Sequence, residues 1–505
     1  MNLQKTEDDF SKMFNKDTYI FILYLLIAFI VFFPSYDNLK FFWDDERFIF
    51  MNPSFTQAPG WVYFWNPFSS FYKTWPMGYT FFWMIIKYSP FKAIAFYKTI
   101  NILIHSINAF LVYKFIKQIK LPYSAFVAIV FLIHPLHVET VSWVFQIFTL
   151  ISFSFFMLAL LQIYNFLETS KKNSLLFSYL FFFLSLSAKS IAALAPFIFL
   201  FLFFRYKKRF WTYLFLIPFF MMSLYYGISS QFGTENLTNQ TQKPSISRQF
   251  ISVIKNNYPT LVEKNKDAVK KNAESIYFDF TFNTNAKADT IIFDRWSILA
   301  NGSWYYVSRA LIPIGLQFIH KTSPPSLMLF LLALCLIFII PVIFFSKTSD
   351  SVLLLIPGLS FVFLIPYLGL SFITFFYWSE FSDRYTYYFL VVLSITLATA
   401  IKYYSRNGLK IFLSFYLIIL FITSINYGIK FNNPKKLYTE ILSYKPHPAI
   451  YSLLFEQYLM ELNLKESGEV LHEGLKKFPD NKRPHLYQAK HKYGFEMQFQ
   501  RIFYD

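Results

Sequence analysis

Eleven apolar runs dominate the chain. An α-helix needs about 20 such residues to cross the hydrocarbon of a bilayer. The runs fall at 18–34, 93–113, 121–134, 148–167, 174–188, 191–204, 210–228, 326–345, 351–375, 385–401 and 409–428. Only 15% of the residues are charged and 55% are hydrophobic. A soluble domain carries about 25% charged residues, so an ordinary soluble enzyme and a disordered chain are both excluded. The one cysteine, Cys335, lies inside an apolar run. A disulfide scaffold and a cysteine-based metal site are therefore excluded as well. The fold class read here is all-α: a polytopic membrane protein of about eleven transmembrane helices.

Charge sets the expected orientation. The formal net charge is +18. Five short loops hold Lys114, Lys117 and Lys120; Lys171 and Lys172; Arg205, Lys207, Lys208 and Arg209; Lys347; and Lys402, Arg406 and Lys410. With eleven spans, all five fall on one side. Short basic loops stay cytoplasmic, so the N-terminus is expected inside and the C-terminus outside. Residues 76–90 are also apolar but read as an interfacial or re-entrant helix, since a span there would reverse the side of every later loop. The positive surplus is explained by topology, and a nucleic-acid partner is not needed. No cleavable signal peptide is read; the first span is long enough to stay as an anchor. The expected site is a bacterial cytoplasmic membrane, or the endoplasmic reticulum in a eukaryotic host.

Three segments then lie outside: 35–92, 229–325 and the tail from 429. The membrane domain is read as 1–428 and the tail as 429–505. The tail contains two amphipathic helices, at 449–462 and 465–478. Leu453, Leu454, Tyr458 and Leu462 supply one apolar face, and Leu471, Leu475 and Phe478 the other. Phe478-Pro479-Asp480-Asn481 stops the second helix. This hairpin is similar to one tetratricopeptide unit. Three Asn-x-Ser/Thr triplets, at Asn236, Asn239 and Asn301, fall outside.

Ionisable groups near spans are costly and often functional, and here they gather on the outer side. Trp43-Asp44-Asp45-Glu46-Arg47-Phe48 follows the first span. Burial and mutual repulsion of three adjacent acids would raise at least one pKa, which suits a general base; a helix start capped by Asp, with Arg47 as partner, explains the same residues. His134-Pro135-Leu136-His137-Val138-Glu139 forms a tight turn between two spans. His134, His137 and Glu139 could bind a divalent metal, orient a carboxylate or donate to a phosphate, or simply cap the turn. Lys189 stands at an outer junction, able to snorkel to headgroups or to face an anionic substrate. Asp383 and Arg384 open the tenth span. Arg384 offers a planar fork suited to phosphate, or pairs locally with Asp383. His105 reads as a packing polar group inside a span.

An acidic base and basic phosphate binders at one membrane face are what a lipid-phosphate-linked substrate requires. The lipid stays in the bilayer, its phosphate meets Lys and Arg, and an acceptor hydroxyl loses its proton to a carboxylate as it attacks the sugar carbon. This is inverting glycosyl transfer.

Six stretches in order carry a family resemblance: WDDERFIFMNPSF at 43–55, NILIH at 101–105, HPLHVETVSWV at 134–144, SLSAKSIAALAPFIFLFLFF at 185–204, LIPIGLQF at 311–318 and FSDRYTYYFLVV at 381–392. With these the chain resembles the GT-C glycosyltransferases. More narrowly, it resembles the branch with a protein O-mannosyltransferase-like membrane domain followed by extracytoplasmic tetratricopeptide repeats. The resemblance implies a polyprenyl-phosphate-linked sugar donor, mannose-like, and a protein or glycan acceptor. It implies Asp44 as catalytic base with Asp45 beside it. It also implies a site lined by Glu46, His134, His137, Glu139, Asp383 and Arg384, with Lys189 on the phosphate side. One departure is clear. Relatives continue after HPLHVETVSW with a Gly-Arg-Lys-Asp-like polar stretch, where this chain reads Val144-Phe145-Gln146-Ile147-Phe148-Thr149. The competing readings are a transporter of lipid-linked sugars and a non-catalytic membrane scaffold. A transporter should show internal repeats or Gly/Pro-broken paired spans, and neither is seen among only 13 glycines.

Overall fold

The computed structural model describes residues 3–35, 45, 55, 57–88, 94–206, 208–239, 295–320, 324–339, 359, 362–368, 379, 381–404, 407–460 and 463–478. Among the described residues the regular structure is helical throughout. The helices are α1 (Leu3–Phe32), α2 (Pro76–Tyr88), α3 (Ile94–Gln118), α4 (Ser124–Ile133), α5 (Val138–Ser142), α6 (Ile147–Thr169), α7 (Lys172–Ala188) and α8 (Pro196–Arg205). They continue as α9 (Ile217–Asn239), α10 (Arg295–Leu311), α11 (Leu327–Leu334), α12 (Leu390–Tyr404), α13 (Asn407–Asn432), α14 (Pro434–Tyr444), α15 (Pro448–Met460) and α16 (Leu464–Lys477). The chain divides into two compact units, one of residues 1–41, 58–231 and 293–432, the other of 42–57, 232–292 and 433–505.

Five helical stretches are long and apolar enough to cross a membrane: Lys16–Ser35, Ile94–Gln118, Val144–Thr169, Phe210–Ser230 and Ile411–Asn432. The pair Ser124–Ile133 and Pro135–Ser142, bent by 52°, adds a sixth if it is one broken span. Shorter apolar helices lie at Pro196–Arg205, Leu327–Ile339 and Leu390–Tyr403. The expected run at 351–375 lies mostly outside the described residues. Residues 76–88 form a helix of 13 residues, fewer than the roughly 20 that a span needs.

Ile94–Gln118 and Val144–Thr169 are 67% and 72% buried, so they form the centre. Lys16–Ser35, Phe210–Ser230 and Ile411–Asn432 bury only 28%, 22% and 28%. Their outer faces carry Leu23, Leu26 and Ile30, then Met221 and Leu224, then Phe415, Ile418 and Ile422, all exposed. Apolar faces this long are stable where lipid covers them.

The central helix α3 is not apolar inside. Asn101, His105 and Asn108 stand at helical spacing along its buried face. Pro135 breaks the run after α4, and a broken helix frees carbonyls that need donors. His105 Nε2 donates to Leu132 O at 2.9 Å and Ser424 Oγ to Ile133 O at 2.5 Å. Asn101 Nδ2 donates to Val141 O and Trp143 O at 3.2 and 3.0 Å. Asn108 Nδ2 reaches Leu150 O at 3.0 Å. The packing role expected of His105 is thus filled in a specific way: it satisfies the break.

At the opposite end of α3, Asp17 accepts from Tyr113 at 2.6 Å, Lys114 at 2.8 Å and Lys117 at 3.1 Å. Two cations of the first basic loop are therefore paired with the start of the first span.

In the second unit, Tyr451, Phe455 and Leu471 form a small core, with Leu442, Val470, Leu475 and Phe478 packed on it. Helices α14, α15 and α16 close around these residues. Tyr451 donates to Glu473 at 2.9 Å, and Lys477 bridges to Glu473 at 2.7 Å.

Gly78 permits the closest approach of α2 to the bundle. A Cβ there would stand 2.1 Å from Phe148 Cδ1 and 2.9 Å from the Ala188 carbonyl oxygen. Phe148 can rotate, but the carbonyl belongs to the turn that holds Lys189. Gly78→Ala is expected to destabilise the protein by about 1–3 kcal/mol through overpacking, read as a lowered unfolding temperature of the detergent-solubilised chain.

Candidate functional site

The N-terminal ends of α3, α6 and α12 meet the C-terminal ends of α4 and α7, at the end of the bundle opposite Asp17. The turns there carry most of the expected site residues. Tyr387 shows how they are tied. Its hydroxyl donates to His105 Nδ1 at 2.6 Å and accepts from Asn108 Nδ2 at 3.0 Å.

Glu139, on the short helix α5, is fully buried. Ser382 Oγ donates to its two oxygens at 2.9 and 3.0 Å, and the Arg384 backbone N–H donates at 3.1 Å. The Arg384 guanidinium closes the pair through Nη1. Arg384 is itself buried, with its guanidinium carbon 4.9 Å from the ring centres of both Trp143 and Tyr385. Adjacent in sequence, Asp383 and Arg384 do not pair with each other. Asp383 accepts from Tyr305 Oη and, at 2.9 Å, from Tyr427 Oη; His320 Nε2 lies 3.8 Å away. The local Asp383–Arg384 pair weighed in the sequence is replaced by two long-range partnerships.

His134 caps the break. Its Nδ1 accepts from the Leu136 N–H at 3.3 Å, which leaves the proton on Nε2, and Nε2 donates to Ala310 O at 3.1 Å. Both nitrogens are thus spent on backbone. His137 is buried among rings, 4.4 Å from Tyr387, 4.5 Å from Phe131 and 5.0 Å from His105. Neither of its nitrogens finds a hydrogen-bond partner among the described residues. Among the described residues, no group of three His, Cys, Asp or Glu side chains is arranged to hold a metal ion. His134 and Glu139 point their polar atoms at different partners, and His137 lies among rings.

Lys189 follows α7 in an extended conformation and is half-buried. Its ammonium donates to Thr149 Oγ1 at 2.7 Å and to Gln146 Oε1 at 3.3 Å. Both partners are neutral. Burial pushes the Lys189 ammonium down to about 7; the nearby Arg384 guanidinium pushes the same way and Glu139 opposes. A cation whose partners among the described residues are neutral oxygens, with the adjacent carboxylate committed to Arg384, is a receptive partner for an anion. Gln146 and Thr149 belong to the stretch where the sequence showed a missing basic contact; there they hold the lysine instead.

Asp44 and Glu46 lie outside the described residues. Asp45 is buried and belongs to the second unit. Asn301, one of the three acceptor triplets, is buried and donates to Pro324 O at 3.2 Å, so it is not a surface acceptor. Sequence reasoning missed Tyr305, Tyr427, Ser382, Gln146 and Thr149. With 36 tyrosines in the chain, composition does not distinguish the two that hold Asp383.

Comparison with protein-family models, with curated proteins and with solved structures found no match.

Breaking a buried ion pair leaves an uncompensated charge, a loss of about 3–5 kcal/mol. Glu139→Gln and Arg384→Gln are each expected to lower the unfolding temperature strongly, and the double variant to recover part of the loss. The check is a double-mutant cycle of thermal unfolding in detergent.

Proposed function

We propose that this chain is a GT-C-type inverting glycosyltransferase. In this reading it moves a sugar, mannose-like, from a polyprenyl-phosphate donor to a hydroxyl of a protein or glycan on the extracytoplasmic face. The supporting observation is Lys189. Among the described residues its partners are neutral, and it stands beside a polar, buried cluster in an otherwise apolar bundle. Lipid-linked phosphate is the anion that a membrane presents to such a group.

The chemistry requires little else. The bond from the sugar's anomeric carbon to the phosphate oxygen breaks as the acceptor oxygen bonds to that carbon on the opposite face. The electron pair leaves on the phosphate, where Lys189 stabilises the charge. The acceptor proton goes to a carboxylate, assigned through the family resemblance to Asp44, with Asp45 and Glu46 beside it. Arg384 is engaged by Glu139, so its role in this reading is to position the wall of the site rather than to grip phosphate. The eleven-span topology, the tetratricopeptide-like tail and a bacterial cytoplasmic membrane with the C-terminus outside belong to the same reading. A second reading, a non-catalytic membrane scaffold or a transporter of lipid-linked sugars, is favoured by the closed, fully satisfied Glu139–Arg384 pair.

The deciding experiment is release of polyprenyl phosphate from a panel of lipid-linked sugars by the purified chain, wild type against Asp44→Asn. Release with one donor, abolished by the substitution, is expected. Equal release by both proteins moves the base to Asp45 or Glu46. No release with any donor, from folded protein, leaves the scaffold or transporter.

The pH dependence has a definite sign. Lys189 is charged below about 7 and neutral above it. Affinity for the product, polyprenyl phosphate, should therefore fall as the pH rises through and above that value, the bound anion itself holding the proton somewhat higher. Lys189→Arg, always charged, should flatten the profile. An unchanged profile in that variant would remove Lys189 from the phosphate position.

A further inference from the structure

The sequence motif LIPIGLQF at 311–318 has no part in the site described above, yet it leads from a guanidinium without an anion. Arg309 lies in the last turn of α10 and is half-buried. Its Nε is buried and finds no hydrogen-bond partner, and among the described residues the side chain forms no ion pair. It lies over the face of Tyr305, with the guanidinium carbon 5.8 Å from the ring centre. Asp383, the acid that Tyr305 holds, is already committed to two tyrosines.

A cation in the last helical turn often complements the free carbonyls there. That role is taken: Ala310 O accepts from His134 Nε2 at 3.1 Å, and Leu311 O from Tyr416 Oη at 3.0 Å. The turn that follows is built against the guanidinium. The Ile312 N–H donates to Ser308 O at 2.7 Å and the Ile314 N–H to Ile312 O at 2.9 Å. Gly315 then reverses the chain at a φ of +68°, and a Cβ there would stand 3.6 Å from Arg309 Nη2. The result is a turn with its large apolar side chains outward: Ile312 is 59% and Ile314 66% exposed, while Leu316, Phe318 and Ile319 behind them are buried. Tyr416, which ties the turn down, is on α13, a helix whose Phe415, Ile418 and Ile419 face outward as bilayer-covered residues do.

An unneutralised guanidinium beside a lipid-facing surface is costly and marks a ligand position. The ligand must bring negative charge to Arg309 and an apolar chain to Ile312 and Ile314. We infer that Arg309 and the Ile312–Gly315 turn form a binding position for a lipid-borne phosphate. A guanidinium suits that group because its planar fork donates two hydrogen bonds to phosphate oxygens. The position uses none of the residues that hold Lys189 and does not depend on sugar transfer: a chain with no transferase activity would bind the lipid equally well. Either a polyprenyl phosphate or an anionic phospholipid headgroup supplies this chemistry.

The test is equilibrium binding by the full chain in a neutral detergent. The probes are polyprenyl phosphate, phosphatidylglycerol, uncharged polyprenol and inorganic phosphate. The variants are Arg309→Gln, Arg309→Lys and the double substitution Ile312→Gln/Ile314→Gln. Arg309→Gln should weaken the recognised phospholipid or polyprenyl phosphate by about tenfold or more, the scale of a hydrogen bond to a charged group. Arg309→Lys should retain part of the affinity, and uncharged polyprenol should not distinguish the variants. The isoleucine pair is exposed, so its substitution leaves the fold intact and should weaken the same lipid; it decides the matter if Arg309→Gln fails to fold. The lipid that responds identifies the source. Unchanged affinity for both charged lipids in Arg309→Gln, or inorganic phosphate binding as tightly as the lipids, overturns the inference.

Discussion

The buried pair between Glu139 and Arg384 is the constraint on which the end of the bundle opposite Asp17 depends. Two charges out of water cost several kcal/mol each unless hydrogen bonds and close opposite charge compensate. Here the compensation comes from elements 245 positions apart in the chain. Glu139 receives the Ser382 hydroxyl, the Arg384 N–H and the guanidinium, and the guanidinium lies between Trp143 and Tyr385. Because the pair tolerates no slack, the turn after α4, the short helix α5 and the entry to α12 are held in one arrangement. Asp383, next to Arg384 in the same 3-10 turn, takes its position from that arrangement.

A second layer of polar contacts makes the arrangement possible. Helices in lipid gain little from apolar contact with one another, because the surrounding hydrocarbon is equally apolar; packing and interhelical hydrogen bonds decide their association. The α3 stripe of Asn101, His105 and Asn108 serves this purpose. It also solves the problem raised by Pro135, whose break leaves carbonyls that hydrocarbon would not satisfy. Ser152 performs a similar service at the end of α7, its hydroxyl 2.9 Å from both Ser185 O and Lys189 O and sharing its one proton between them. Thus the backbone that presents Lys189 is held by hydrogen bonds rather than by loop stiffness.

Several parts of this were readable from residue order. The motifs at 134–139 and 383–384 were picked out as ionisable groups near spans, and the structure brings both to one place. The partner exchange was not readable. Neighbouring Asp383 and Arg384 suggest a local pair, but a four-residue turn of 3-10 helix at 383–386 aims them at different elements. The tyrosines that hold Asp383 come from α10 and α13, and nothing in their local sequence separates them from the other aromatics. Gln146 and Thr149 illustrate the opposite error. Judged by residue type they registered as the absence of a basic contact, while in space they are the oxygens that hold one.

Sequence alone pointed to a helical architecture compatible with a membrane. Hydrophobic runs of bilayer length favour helices there, because every backbone amide must be satisfied internally. Five of those runs are helices of sufficient length and apolarity in the described residues. Tertiary structure decided which charges are paired within the fold and which find no charged partner among the described residues. That distinction rests on distances of 3 to 4 Å between residues far apart in the chain, and the electrostatic energy of a pair in a low-dielectric interior changes steeply over such distances. Arg384 and Arg309 are the same residue type, each beside aromatic rings. One faces a buried carboxylate and the other faces none among the described residues, and the packing of α10 and α5 against their neighbours makes them different.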